Sequence, residues 1–148
     1  MAWPMIVGLG SYNGDDRAGW LALERLQTLG YPQANLLNLS HPAKLLEKMR
    51  SDQSLVICDA CVAGECVGNI RSLEWPSDKL TYERGTGSHD LSLNEILELA
   101  RQLECSPPSV KVWTIEGGEW IAGSEPNSVI RTAANRVGDS IWESCCHA

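Results

Sequence analysis

The sequence predicts an α/β fold, a three-layer α/β/α sandwich on a mainly parallel, mixed central sheet of about five strands. Three observations predict it. Short apolar runs alternate along the chain with helical, one-faced apolar patterns, the order that βαβ units produce. The run Leu55-Val56-Ile57-Cys58 is wholly apolar, as a central strand buried on both faces must be. Acidic or imidazole residues stand where strands would end or helices begin: Asp16 after the first apolar run, Asp59 after Cys58, and His89 before a helix pattern. In an open α/β sheet the carboxyl ends of parallel strands line one crevice, and ligands bind there.

The first strand is expected at residues 5–10 and the first helix at 16–29. Ala18, Leu21, Ala22, Leu26 and Leu29 give that helix one apolar face, and Gly30 stops it. A second strand, 35–39, precedes a short helix with Pro42 in its first turn and Leu45, Leu46 and Met49 inward. After the strand at 55–58, residues 67–75 read as a further strand in which Asn69, Arg71 and Glu74 mark a more exposed position. The clearest helix is 93–103: Ser92 and Glu95 form a capping box, and Leu93, Ile96, Leu97 and Ala100 carry the apolar stripe. Pro107-Pro108 ends that unit, residues 110–115 form another strand, and a last helix runs from 125 to 142 with Ser124 as cap and Pro126 in its first turn. The order is β-α-β-α-β-β-α-β-α. Residues 76–87 are the long connection, and long connections in compact domains are often functional.

Residues 1–148 suffice for one domain with its own core. The chain has no apolar stretch long enough to cross a membrane and no basic flank or cleavage site of a signal peptide, so a cytoplasmic protein without a membrane partner is expected. A formal net charge of −7 argues against nucleic acid as partner. The six cysteines are expected to be reduced thiols. Cys58 and Cys61 have C-x-x-C spacing, but the second pair that a structural zinc site needs is missing. Gly8-Leu9-Gly10 followed by Gly14 is one residue too long for a dinucleotide turn, and two aspartates stand where pyrophosphate needs bare amides.

Of the adjacent acids, Asp15 is expected to cap the helix, where negative charge is favoured. That leaves Asp16, followed by Arg17-Ala18-Gly19, where Gly19 lets another group approach the helix closely. Asp59 at the end of a buried strand needs a partner, a metal or solvent. Two carboxylates and one imidazole in a common crevice could hold zinc or nickel or move protons at an amide, which leaves open a hydrolase or a metal-binding α/β protein.

Gly8-x-Gly10 followed by Gly-Asp-Asp-x-x-Gly, an apolar strand ending Asp59-Ala60, and Ser88-His89-x-Leu-x-Leu opening a helix together resemble the [NiFe]-hydrogenase maturation endopeptidases, over nearly the whole chain. Those enzymes remove a short C-terminal extension from the hydrogenase large subunit after nickel insertion. The resemblance implies that Asp16, Asp59 and His89 are both catalytic residues and metal ligands, and that Asp15 is not a principal ligand. It implies nickel supplied by the substrate's own active site, zinc or cadmium as stand-ins in vitro, and the large-subunit precursor as partner. Three departures stand out: Ser11 where the family usually has Asn, a turn from Gly10 to Asp15 one residue shorter, and Asn38-Leu39-Ser40-His41 where Asp-Gly-Gly-Thr is common. His41 is similar to the variant in proteases serving bidirectional, NAD-linked hydrogenases, which would give it a part in substrate recognition; otherwise it only leads into the helix at Pro42. Ser88 and Cys58 lack a nucleophile-elbow context. The rival readings are a metal-dependent amidohydrolase acting on a small substrate and a non-catalytic module that binds the nickel-loaded precursor.

Overall fold

The computed structural model describes residues 3–77 and 92–146. Within them five strands form one sheet: β1 (Met5–Leu9), β2 (Leu36–Leu39), β3 (Leu55–Cys61), β4 (Ile70–Trp75) and β5 (Val110–Glu116). Their order across the sheet is β2-β1-β3-β5-β4, with every neighbouring pair parallel except β4 and β5. The α-helices among the described residues are α1 (Ala18–Leu29), α2 (Leu93–Gln102) and α3 (Ser128–Cys146). The expected order and the mixed, mainly parallel sheet are both present.

Strand alternation sorts the apolar side chains into two cores. Ile6, Cys58, Ala60 and Ile115 face α1 and α3, where Leu26, Ile130 and Val137 are fully buried. Val7, Leu9, Ile57 and Val112 face the other way, toward Leu45 and the α2 stripe of Leu93, Ile96, Leu97 and Ala100. Each fully buried Ile or Leu stabilises the fold by about 1.5–3 kcal/mol relative to exposure. Cysteines three apart in a strand point to opposite faces. Cys58 therefore lies in the first core while Cys61 faces the second, and the C-x-x-C spacing makes no knuckle. All six cysteines are free.

Two local signals, one at a helix start and one at a helix stop, are met. Ser92 accepts the Glu95 N–H at 3.1 Å, and Gly30 closes α1 with its N–H returned to the carbonyls of Leu26 and Gln27. Elsewhere the boundaries move, for identifiable reasons. The helix expected from residue 16 is split into a 3-10 turn, Gly14–Arg17, and α1. The short helix after β2 is a 3-10 segment, Pro42–Glu47. β4 starts at Ile70 because residues 66–69 are a turn, with the Asn69 N–H on the Cys66 carbonyl. α3 starts three residues later than expected and runs on to Cys146, leaving Pro126 outside it. Asn127, not Ser124, caps α3: its Oδ1 accepts the Val129 N–H at 2.9 Å, while the Ser124 hydroxyl donates to the Ile121 carbonyl. Most of the long connection at 76–87 lies outside the described residues. Among the described residues no helix is long and apolar enough to cross a membrane.

Candidate functional site at the carboxyl ends of β1 and β3

From β1 the chain passes to one side of the sheet, to β2, while β3 lies on the other, so the strand order reverses between β1 and β3. That is the place where an open α/β sheet offers a crevice at its carboxyl edge. Gly8 pairs with Cys58, so Asp59 lies one residue beyond the last paired step of β1. β3 does not end at Cys58 as expected. It continues through Asp59, Ala60 and Cys61 because β5 keeps pairing with it, Asp59 against Thr114 and Cys61 against Glu116. Asp59 is thus a fully buried carboxylate inside a central strand.

The first turn of α1 sits directly on these strand ends. A Cβ at Gly19 would overlap the carbonyl oxygens of Cys58 and Leu9, the latter at 2.5 Å, so only glycine allows the approach. This is the close contact expected from Gly19, and its partner is backbone. The Gly14–Arg17 turn, which precedes α1 and packs against β3, carries Asp16. Asp16 is buried, 1% exposed. The Ser11 hydroxyl donates to its Oδ2 at 2.6 Å, and the Ser11 N–H reaches its carbonyl at 3.4 Å.

Asp15 does something other than cap its own helix. Its Oδ2 accepts the N–H groups of Gly118 (2.8 Å) and Glu119 (3.0 Å), and its Oδ1 accepts that of Asn127 (3.0 Å). Its own N–H donates to the Glu119 carbonyl at 2.8 Å. The side chain is a buried clamp on the segment between β5 and α3. Adjacent acids in a 3-10 turn point in different directions, which gives Asp15 to that segment and Asp16 to the turn with Ser11.

Sequence reasoning missed a fourth buried carboxylate. Glu116, 3% exposed, accepts the Ala63 N–H with both oxygens (3.0 and 3.1 Å) and the Cys61 thiol at 3.7 Å. By alternation Asp59, Cys61, Thr114 and Glu116 share the sheet face turned toward α2. The Cys61 thiol is pushed up to about 12, first by burial; a Thr114 hydrogen bond lowers it, and the carboxylates of Glu116 and Asp59 raise it further. Burial, then the Asp59 charge, also raises Cys58. Neither thiol is an available nucleophile. The signal that could have found it is the one that marks Asp59, an acid that closes an apolar strand run.

His41 is exposed and extended (φ −132°, ψ 129°) at the entry to the Pro42–Glu47 segment, where its carbonyl accepts the Lys44 N–H. Its backbone fulfils the helix-entry role. His89 lies outside the described residues. Among the described residues no three His, Cys, Asp or Glu side chains are grouped to hold a metal ion. What the described chain offers near the carboxyl edge of the sheet is two buried carboxylates, Asp16 on the turn after β1 and Asp59 within the last part of β3.

No protein-family model and no curated protein matches the chain. Solved structures do. The hydrogenase maturating endopeptidase HybD from E. coli aligns over 94% of this chain and 89% of its own, at 16% identity and a TM-score of 0.74. The [NiFe] hydrogenase maturation protease HybD from Thermococcus kodakarensis aligns over 95% and 97%, at 20% identity and a TM-score of 0.72. HycI, a [NiFe] hydrogenase maturation protease from Thermococcus kodakarensis KOD1, aligns over 93% and 88%, at 24% identity and a TM-score of 0.68. Over nearly its whole length, the chain has the fold of the hydrogenase maturation endopeptidases.

Proposed function

We propose that the protein is a cytoplasmic endopeptidase that removes the C-terminal extension of a nickel-loaded [NiFe]-hydrogenase large-subunit precursor. The observation that carries this reading is a coincidence. A chain folded like the hydrogenase maturation endopeptidases buries two carboxylates, Asp16 and Asp59, at the strand ends where such a sheet binds ligands.

In this reading nickel arrives as part of the substrate. Asp16 and Asp59 would hold it through carboxylate oxygens, and neutral His89 would supply a nitrogen donor. Held there, the metal would supply Lewis-acid chemistry for the scissile carbonyl or for an attacking water. Asp59 is held by its pairing with Thr114 of β5, one step beyond the last pair with β1, and gives the site a rigid wall. Asp16 stands on a turn fixed through Ser11, while Asp15 anchors that turn to the segment before α3. His41, exposed after β2, would take part in recognising the precursor. The partner is the precursor protein, with no role for nucleic acid or a membrane.

The test is processing in a defined mixture. Pure protein should shorten the nickel-loaded precursor and leave the nickel-free one at full length. Zinc or cadmium should raise the thermal midpoint of the isolated chain, by the stabilisation any ligand of the folded state gives. Equal cutting of both precursor forms would remove nickel from the recognition step. Hydrolysis of small amides with no effect on any precursor would replace this reading with a general amidohydrolase. Binding of the nickel-loaded precursor without cleavage would make the protein a non-catalytic partner.

A further inference from the structure

We infer that Ser11 is a positioning residue, one that fixes the carboxylate of Asp16 in the orientation the crevice uses. This rests on the reading of Asp16 as a metal-facing ligand given above.

The geometry is specific. Ser11 holds Asp16 at two points, Oδ2 through its hydroxyl at 2.6 Å and the main-chain carbonyl through its N–H at 3.4 Å. A hydroxyl has one proton and two lone pairs. The Asn13 N–H, which can only donate, occupies one lone pair at 3.2 Å. The proton goes to Asp16, and 2.6 Å is the length of an O–H donating to a charged carboxylate. The hydroxyl thus has one partner for its proton and another for a lone pair, so it cannot rotate without breaking a bond, and Asp16 cannot turn its Oδ2 away without losing the shorter of the two.

The preceding residue makes the grip possible. A Cβ at Gly10 would stand 2.7 Å from the Asp16 carbonyl oxygen, so the chain can fold back onto Asp16 only with glycine there. Partners of this kind around a ligating carboxylate set its direction, and losing one typically weakens metal affinity 10–100-fold. The competing account is that Ser11 merely shapes the turn through Asn13. That account predicts a change in stability alone.

The experiment compares wild type, Ser11→Ala, Ser11→Thr and Asp16→Asn with two probes, Ni²⁺ alone by calorimetric titration and the nickel-loaded precursor by processing kinetics. Ser11→Ala should weaken Ni²⁺ binding about 10–100-fold and lower kcat by a similar factor while KM for the precursor stays within about twofold. Ser11→Thr, which keeps the hydroxyl and both of its bonds, should restore both, and a Ni²⁺ affinity that falls in Ser11→Ala beyond any change in melting temperature separates positioning from turn shape. Wild-type Ni²⁺ affinity and kcat in Ser11→Ala, with only a lowered melting temperature, would overturn the inference and leave the site reading standing. If Asp16→Asn binds Ni²⁺ and processes precursor as wild type does, the site reading itself fails. It fails equally if the wild-type chain takes up no Ni²⁺ and processes loaded and empty precursor alike.

Discussion

Replacing Asp15 by Asn changes one atom and should cost far more than loss of a helix cap. The carboxylate accepts three backbone N–H groups, two at Oδ2 and one at Oδ1, and is 1% exposed. The amide of Asn keeps one acceptor oxygen. Placed where Oδ2 was, that oxygen retains Gly118 and Glu119, and the NH₂ group then faces the Asn127 N–H, donor against donor. The two retained bonds also lose their charge assistance. A buried donor left unsatisfied costs about 1–3 kcal/mol, and neutralising the acceptor of the other two adds on the order of 1 kcal/mol. The expected loss is therefore about 2–4 kcal/mol, against about 1 kcal/mol for the cap role read from sequence. In a chain of this length each kcal/mol moves the midpoint by roughly 2–4 °C, so Tm should fall by roughly 5–15 °C. Urea unfolding followed by circular dichroism at neutral pH measures it. Asp139→Asn is the control: its bond to Arg25, 2.7 Å long, joins two partly exposed side chains, and its loss should cost at most about 1 kcal/mol. If the two variants lose the same amount, the Asp15 clamp does not hold the β5–α3 segment.

Gly19→Ala forces a methyl into the carbonyls of Cys58 and Leu9, and since both obstacles are backbone it should cost about 3 kcal/mol or more, or prevent folding, as judged by the same urea transition. Asp59→Asn keeps size and removes the charge, so precursor processing should disappear while the folded chain still elutes as the wild type does on gel filtration; retained processing would exclude Asp59 as a ligand. Alkylation at pH 8 should modify the exposed Cys66 and Cys146 first and spare the buried Cys58 and Cys61 until denaturant is added, which mass spectrometry of digested peptides reads directly. Cys61 also gives the alkaline limb a sign: folding raises its thiol from 9.0 to about 12, so the folded form holds the proton more tightly. Its contribution to stability is complete below pH 9.0 and lost as pH rises toward about 12, and Cys61→Ala should flatten that fall in urea midpoints.

Elements are legible in the sequence wherever a single period or cap decides them. The α2 stripe with Ser92 and Glu95, the wholly apolar start of β3 and the stop at Gly30 all depend on residues within one turn or one strand. Boundaries set by distant partners are not. Asp59 reads as a strand end because aspartate disfavours strands, and only β5, much later in the chain, extends the pairing through it. Ser124 and Pro126 carry the signature of a helix start, yet Ser124 closes a local turn and the true cap is Asn127. At the site, the appearance of Asp16 after β1 and of Asp59 toward the end of β3, on neighbouring strands, follows from the alternation of elements. The duties of Ser11, Asp15 and Glu116 do not, because each is defined by a hydrogen bond whose partner the sequence does not reveal.

The bonds of Asp15 span 103, 104 and 112 positions along the chain. A ribosome makes the chain from its amino end, so residue 15 leaves the exit tunnel long before residues 118, 119 and 127 exist. Until they emerge, the carboxylate of Asp15 has no reason to leave water, and the turn that carries Asp16 lacks its anchor to the segment before α3. A nascent chain halted after β5 could pair β1, β2 and β3 and still lack the three bonds of the Asp15 clamp, so that end of the sheet is finished only near the end of synthesis.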